Sequence, residues 1–244
     1  MPVCIIIYII LSKIKEMEIM YVESRYKKLF TPEQIEKIKD LLKNYKRINI
    51  VASVQYLNNL AQIVNEIKDK EFIIKSSKYR AFYPGQILGC DVYAADCNDC
   101  DITLSLTQGH FHVYGILEKY GKPVINIDPE SFEITFYNEE IARKMQIKNM
   151  LAIDAVIKGK LILIVQTIKA GQTAPVGKIK EWLTKNGKEY YDVIFDEINF
   201  NYLNELEGDA IINTACQRIA IDDKEKLNKP IVNAEDLNDY LFHE

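Results

Sequence analysis

The spacing of apolar and polar positions along this chain changes period several times, and each change marks an element. Thr31-Pro32-Glu33-Gln34 opens the first clear helix, with a threonine to cap, proline at the first helical position and glutamine three residues after the cap. Ile35, Ile38, Leu41 and Leu42 then recur at helical spacing, which predicts an end near Asn44. Residues 48–54, Ile-Asn-Ile-Val-Ala-Ser-Val, are β-branched and nearly uncharged, the composition of a strand buried on both faces. A helix is predicted over 56–68, with Leu57, Leu60, Ile63, Val64 and Ile67 on one side, and then a short strand over 72–75. Residues 101–106 form another strand, a helix runs on through Leu117, and 124–128 is a further strand. Such alternation of strands and helices implies a parallel sheet with helices on its faces.

Beyond this point 132–137 reads as an edge strand, and Asn138 or Ser131 caps a long helix through Ala142, Met145, Ile147, Leu151 and Val156, closed by Gly159. A second unit starts with a strand over 161–167 and the turn Ala170-Gly171-Gln172. A helix over 175–186, a strand over 192–195, a short helix over 199–207 and a strand over 209–214 follow, leading to Cys216. From Asp222 the chain is polar until a last amphipathic helix at 234–242. The two halves repeat one plan: strand, helix, strand, linking stretch, strand. Each half also has a cysteine at a sheet end and one Gly-Gln turn, Gly85-Gln86 and Gly171-Gln172. The expected fold is α/β, with two similar small domains, each a parallel sheet flanked by helices. Residues 1–44 are expected to be an N-terminal extension and helix, 45–158 the domain carrying Cys90, and 159–244 the domain carrying Cys216.

Composition narrows the function classes. The 244 residues are 48% hydrophobic and 27% charged, a globular profile suited to one large or two small α/β domains. The net charge of -4 argues against sequence-independent nucleic-acid binding, while leaving docking onto a basic protein open. The apolar start, Val3 to Leu11, covers about nine residues where a bilayer span needs roughly 20. It has neither a basic flank nor a small-residue cleavage site. It is either a buried strand or a stretch ahead of a true start at Met17 or Met20, and the polar helix that follows favours the second reading. A cytoplasmic protein, without membrane attachment, is expected. The five cysteines, Cys4, Cys90, Cys97, Cys100 and Cys216, are too few and too scattered for a secreted disulfide framework.

Candidate chemistry centres on Pro84-Gly85-Gln86-Ile87-Leu88-Gly89-Cys90-Asp91 and on Asn213-Thr214-Ala215-Cys216-Gln217-Arg218. In open parallel sheets ligands bind beyond the carboxyl ends of strands, where both cysteines are expected. Gly89 lets the backbone approach a bulky inorganic cluster, although an ordinary half-buried thiol is the competing reading for each cysteine. Cys97-x-x-Cys100 has metal or redox spacing. The pair is read either as extra ligands to a cluster anchored by Cys90 and Cys216, or as surface thiols whose neighbouring aspartates disfavour the thiolate. His110 and His112 alternate, which places them on one side of an extended segment as acid–base groups or ligands; a hydrogen-bonded loop pair is the commoner outcome. Gly171-Gln172-Thr173-Ala174-Pro175 opens a helix whose free amides suit an anionic group such as a carboxylate, or is a plain turn. No Ser/His/Asp triad and no phosphate loop stands out.

Taken together, Gly85-Gln86-Ile87-Leu88-Gly89-Cys90, Gly109-His110-Phe111-His112, Ile127-Asp128-Pro129, Lys169-Ala170-Gly171-Gln172 and Thr214-Ala215-Cys216-Gln217-Arg218 with Asp222-Asp223 resemble the archaeal 2-(3-amino-3-carboxypropyl)histidine synthase family of diphthamide synthesis. The resemblance runs from about Asn44 to Asp223. It implies three similar α/β domains, each giving one cysteine to a [4Fe-4S] cluster, with one iron left open for S-adenosylmethionine. It also implies transfer of a 3-amino-3-carboxypropyl group to a histidine of translation elongation factor 2, in a dimeric protein. By position Cys90 corresponds to the middle-domain ligand and Cys216 to the last-domain ligand, and Gln86, Gly171 and Gln172 fall in the cofactor-binding loops. No residue is assigned a separate catalytic role. The first domain has no counterpart here, and Gln217 replaces the usual proline. Cys97, Cys100 or a partner chain would then supply the third thiolate, in a homodimer or a heterodimer with a full-length relative. A non-catalytic paralogue or partner subunit is the alternative, and a zinc or redox protein built on Cys97 and Cys100 ranks below both.

Overall fold

A computed structural model describes residues 24–169 and 174–242 of the chain. The first helix, α1 (Pro32–Leu42), starts as the sequence predicts: Thr31 accepts from the Gln34 amide, and the Gln34 side chain accepts from the Thr31 amide at 2.9 Å. Strand β1 (Arg47–Ala52) follows, then α2 (Leu57–Glu66), β2 (Glu71–Ile73), β3 (Ile102–Leu106), α3 (Phe111–Tyr120), β4 (Val124–Ile127) and β5 (Ile134–Tyr137). They form a five-stranded sheet in the order β2-β1-β3-β4-β5, parallel except for the antiparallel edge strand β5. The long helix α4 (Glu139–Lys158), capped by the Asn138 side chain, leads to the second sheet. This sheet comprises β6 (Leu161–Thr167), β7 (Glu189–Phe195), β8 (Ala210–Asn213) and β9 (Ile231–Asn233), with α5 (Gly177–Lys185), α6 (Phe200–Glu205), α7 (Arg218–Asp222) and α8 (Ala234–Phe242) around it. Its order is β7-β6-β8-β9, all parallel. The expected α/β architecture of two mostly parallel sheets with flanking helices is thus the fold observed.

The two sheets share the strand order second, first, third, fourth, so the repeat read from the sequence is a repeat of topology. It extends to single hydrogen bonds. Asp101, just before β3, accepts from the Lys46 and Arg47 amides at 2.7 and 2.8 Å, and Asp209, just before β8, accepts from the Lys160 and Leu161 amides at 2.6 and 3.0 Å. These backbone donors hold both carboxyls below the ordinary range. Strand residues alternate between two apolar faces: Ile48, Ile50 and Ala52 face α1 and α2, while Val51 packs with Val113 and Ile116 of α3. In the second sheet Ile162 and Ile164 pack with α5 and α8, while Leu163 and Val165 pack with Leu203 of α6 and Ile219 of α7. Helix α4 serves both units, through Ala142 in the first core and Ala152, Ile153 and Val156 in the second.

Two expectations need correction. The stretch after Asp222 is not uniformly polar: Ile231-Val232-Asn233 forms the buried fourth strand of the second sheet. Three residues are too few to show a period, and Pro230 disguises the start. His110 and His112 do not lie on an extended segment either. His110 is the residue before α3 and His112 lies in its first turn, so their rings diverge.

Candidate functional site

Cys90 is positioned by the end of β1. The Ala52 amide donates to the Gly85 carbonyl at 2.8 Å and the Ile87 amide to the Ala52 carbonyl at 2.9 Å, which fixes this loop beyond the carboxyl end of the strand. Leu88 and Asp91 exchange amide–carbonyl bonds at 2.8 and 3.1 Å, closing a turn whose middle residues are Gly89 and Cys90. Gln86 is buried, and its Oε1 accepts from the Phe82 and Tyr83 amides, both at 3.0 Å, so it ties its own loop together. The buried Asp91 carboxylate accepts from Ser77 Oγ at 2.5 Å, from the Arg80 and Ala81 amides at 2.8 and 2.9 Å, and from the Tyr93 amide at 3.2 Å. Burial pushes its pKa up, but these donors outweigh burial and hold the carboxyl below its ordinary range. Asp91 thereby draws residues 77–81 over the cysteine, and Arg80 Nη1 reaches Cys90 Sγ at 3.7 Å.

Cys216 is held beyond the carboxyl end of β8. Asn213 Nδ2 donates to the Cys216 carbonyl at 2.9 Å and to Asn233 Oδ1 at 2.8 Å, while Asn213 Oδ1 accepts from the Ala215 amide at 3.2 Å. One chain of contacts then joins the two cysteine loops. Arg218, two residues after Cys216, stacks its guanidinium on the Phe111 ring, 4.0 Å from the centroid. The Phe111 ring lies so close to Gly89 that a Cβ there would sit 2.2 Å from its Cε1. Only glycine fits at that position. Arg218 is 7% exposed and pairs with Asp222 through both Nε, at 2.7 Å, and Nη2. A cleft of about 390 Å³ opens beside this bridge, with Cys90, Arg80, Pro175 and Gln217 in its walls. Among the described residues the free thiols are Cys90 and Cys216, both half-buried.

Cys97 and Cys100 are not brought to this cleft. They are bonded to each other as a disulfide, and Cys97 is buried. Next to them Asp101 caps the start of β1, and Asp99 Oδ2 lies 3.7 Å from Arg47 Nη1. The pair therefore sits at the amino end of the sheet, whereas Cys90 sits at the carboxyl end. Gly171 and Gln172 lie outside the described residues, as do Cys4, Met17 and Met20. His110 Nδ1 meets the Tyr137 hydroxyl and its ring stacks on Tyr114. His112 turns toward Arg218; burial first, and then the Arg218 charge, lower its pKa to about 4, so it is neutral at physiological pH.

Arg80 lies outside every motif read from the sequence, and Phe111 and Asp222, although they fall within such motifs, have no role assigned there, because the roles of all three depend on tertiary contacts. The i, i+4 spacing of Arg218 and Asp222 was the one available signal, but it requires the short helix α7 to be recognised first. Gly115 in mid-α3 is explained by close approach: a Cβ there would lie 3.3 Å from Val92 and 3.5 Å from Arg218 Nη1.

Two mostly parallel α/β units define an open-sheet protein with two free thiols beyond the carboxyl ends of its strands. The chain belongs to the diphthamide synthesis protein family, whose profile matches residues 8–241. The 2-(3-amino-3-carboxypropyl)histidine synthases of Pyrococcus horikoshii and Methanocaldococcus jannaschii are 26% and 28% identical to it, over 83% and 87% of this chain. The chain spans 59% of the length of each of these relatives. Subunit 1 of the Caenorhabditis elegans synthase is 27% identical over 77% of the chain and 48% of its own length. The crystal structure of Dph2 from Pyrococcus horikoshii shares the fold, with a TM-score of 0.72 at 21% identity over 92% of this chain and 69% of that one. The structure of that protein with a 4Fe-4S cluster gives 0.70 at 21% identity, over 90% and 67%. Among the described residues no helix is long and apolar enough to cross a membrane.

Proposed function

We propose that Cys90 and Cys216 each give a thiolate to a [4Fe-4S] cluster, and that the chain takes part in diphthamide synthesis. The reaction would be transfer of a 3-amino-3-carboxypropyl group from S-adenosylmethionine to a histidine of translation elongation factor 2. The observation that carries this reading is the placement of the two free thiols beyond the carboxyl ends of equivalent strands, joined by Gly89, Phe111 and Arg218. The donor chemistry fits: thiolates are the usual ligands of such clusters, and Arg80 supplies a hydrogen bond to one sulfur, a contact that tunes cluster potential. When bound and reduced, the cluster supplies the electron that breaks the sulfur–Cγ bond of S-adenosylmethionine. The chain's own part is to hold two ligand loops at a fixed spacing and to shape the cleft with Gln217, Pro175 and Arg80. The Gly171-Gln172 loop, whose flanking Pro175 lines that cleft, is proposed to hold the aminocarboxypropyl carboxylate through its amides.

A second reading, a non-catalytic subunit paired with a full-length relative, is favoured by the thiol inventory. Two free thiols among the described residues are one fewer than the three thiolates that would hold a [4Fe-4S] cluster with one iron open to S-adenosylmethionine. A partner chain would complete the set. Anaerobic purification with iron and sulfide analysis tests both readings. A brown protein that loses its iron in Cys90→Ala and Cys216→Ala, and keeps it in Cys97→Ala/Cys100→Ala, supports them; a colourless zinc protein overturns them. Methylthioadenosine release from S-adenosylmethionine by the reduced lone chain separates the first reading from the second.

A further inference from the structure

Among the described residues, Cys97 and Cys100 are the cysteines bonded to each other, and their disulfide has the features of an exchangeable bond rather than a structural cross-link. It joins residues only three apart in sequence, and a ring that short removes little freedom from the unfolded chain. The loop is also anchored without it. Lys122 Nζ donates to the Cys97 carbonyl and, at 3.3 Å, to Asn98 Oδ1, while Lys75 Nζ donates to the Asp96 carbonyl. On the other side of the pair Asp101 accepts from the Lys46 and Arg47 amides, and Asp99 pairs with Arg47. These contacts flank both cysteines and hold their Cα atoms near the present separation of 5.6 Å, a distance at which a disulfide can open and close without moving the backbone.

The two cysteines differ in access. Cys97 is 6% exposed, whereas Cys100 is half-buried between the exposed Asp99 and Asp101. An outside thiol therefore approaches at Cys100. The charges around the pair also suit exchange. Both neighbouring carboxylates are engaged, Asp99 by Arg47 and Asp101 by two amides, while the Lys122 ammonium is fixed at the backbone of Cys97.

We propose that Cys97 and Cys100 form a thiol–disulfide exchange site, separate from the Cys90 cleft, whose substrate is a thiol reductant. A reductant thiol loses its proton and attacks Cys100 Sγ. The Cys97–Cys100 bond breaks, a mixed disulfide forms on Cys100, and Cys97 leaves as a thiolate that takes up a proton. A second reductant thiolate then attacks the reductant sulfur of the mixed disulfide and releases Cys100, which is protonated in turn. The pair gains two electrons and two protons, and the reductant is oxidised to its disulfide. The chemistry is the same whether the thiol belongs to a small molecule or to a protein dithiol.

The test treats the oxidised full chain, under native conditions, with reduced glutathione in one arm and reduced thioredoxin in the other. Free thiols are then alkylated and located by fragment-ion mass spectrometry. Cys97 and Cys100 are expected to become alkylated together in at least one arm, and the active arm identifies the source of the thiol. Oxidised glutathione should restore the bond, and the urea midpoint should be nearly the same in both redox states. Cys97→Ser, which keeps the accessible thiol, should form a mixed disulfide with oxidised glutathione at least tenfold faster than Cys100→Ser, which keeps the buried one. Cys90→Ala should exchange like the parent, which separates this site from the cluster proposal. A bond that is absent from the oxidised chain, that opens only after unfolding in urea, or whose reduction unfolds the chain overturns the proposal, as do equal rates in the two single variants.

Discussion

Arg218→Met probes the contact that joins the two cysteine loops. The substitution keeps most of the apolar stem and removes the guanidinium, so its cost comes from two sources. The first is Asp222, which loses a bidentate partner; breaking a fully buried ion pair costs about 3–5 kcal/mol. Because the Asp222 side chain is 32% exposed and water can partly replace the lost donors, about 2 kcal/mol is a fairer figure here. The second is the stacking of the guanidinium 4.0 Å above Phe111, in a site where Arg218 itself is almost fully buried, worth about 1 kcal/mol. A total loss of about 3 kcal/mol is expected in urea denaturation of the apo protein under anaerobic, reducing conditions. Arg218→Met/Asp222→Leu should recover most of the first contribution, because no charge is left without a partner. Arg218→Lys should fall between, since a point charge cannot reproduce the planar fork. With its cationic neighbour gone, the His112 pKa should rise from about 4 in the Met variant, as followed by NMR titration. A loss below about 1 kcal/mol, or a coupling near zero in the cycle of Arg218 and Asp222, would refute the argument that this pair secures the interface.

Two further expectations follow from the same region. The Glu118 carboxyl titrates near 7 in the folded chain against 4.5 for the free group, so the folded state holds the extra proton. Its contribution is complete below 4.5 and is lost as pH rises through 7. His112 behaves oppositely: its pKa is lowered from 6.5 to about 4, so stability is lost as pH falls through that window. The two slopes oppose each other between 4.5 and 6.5, and Glu118→Gln should make stability fall more steeply on acidification than in the parent, as read by urea midpoints across that range. Separately, Gly89→Ala should force the Phe111 ring off its seat, costing about 1–3 kcal/mol and raising the reactivity of Cys90 toward thiol reagents; Phe111→Leu in the same chain should reduce that cost.

Much of the fold was legible because it rests on local chemistry. The Thr31-Pro32-Gln34 box, the Asn138 cap and the β-branched runs of β1 and β6 each specify an element with little help from elsewhere. The placement of Cys90 and Cys216 beyond strand ends was legible for the same reason, since parallel sheets present such loops at one edge. What escaped depended on distant partners. β9 is three residues long and is recognisable as a strand only once β8 is beside it. The two histidines were read with a period of two because the start of α3 has no side-chain cap to announce it. The fate of Cys97 and Cys100 was set by Asp101, which fastens their loop to the far end of β1. Nothing in the four-residue spacing itself distinguishes that outcome from a place beside Cys90.

Helix α4 has a consequence for how this molecule can be divided. At 20 residues it extends about 30 Å, and one end completes the first core while the other completes the second. Cutting the chain at either end of this helix would strip an apolar face from one half, so neither copy of the repeat is excisable as a self-sufficient module. The repeated strand order is thus built around one shared rod, which sets the frame across which the Arg218–Phe111 contact joins the two thiol loops.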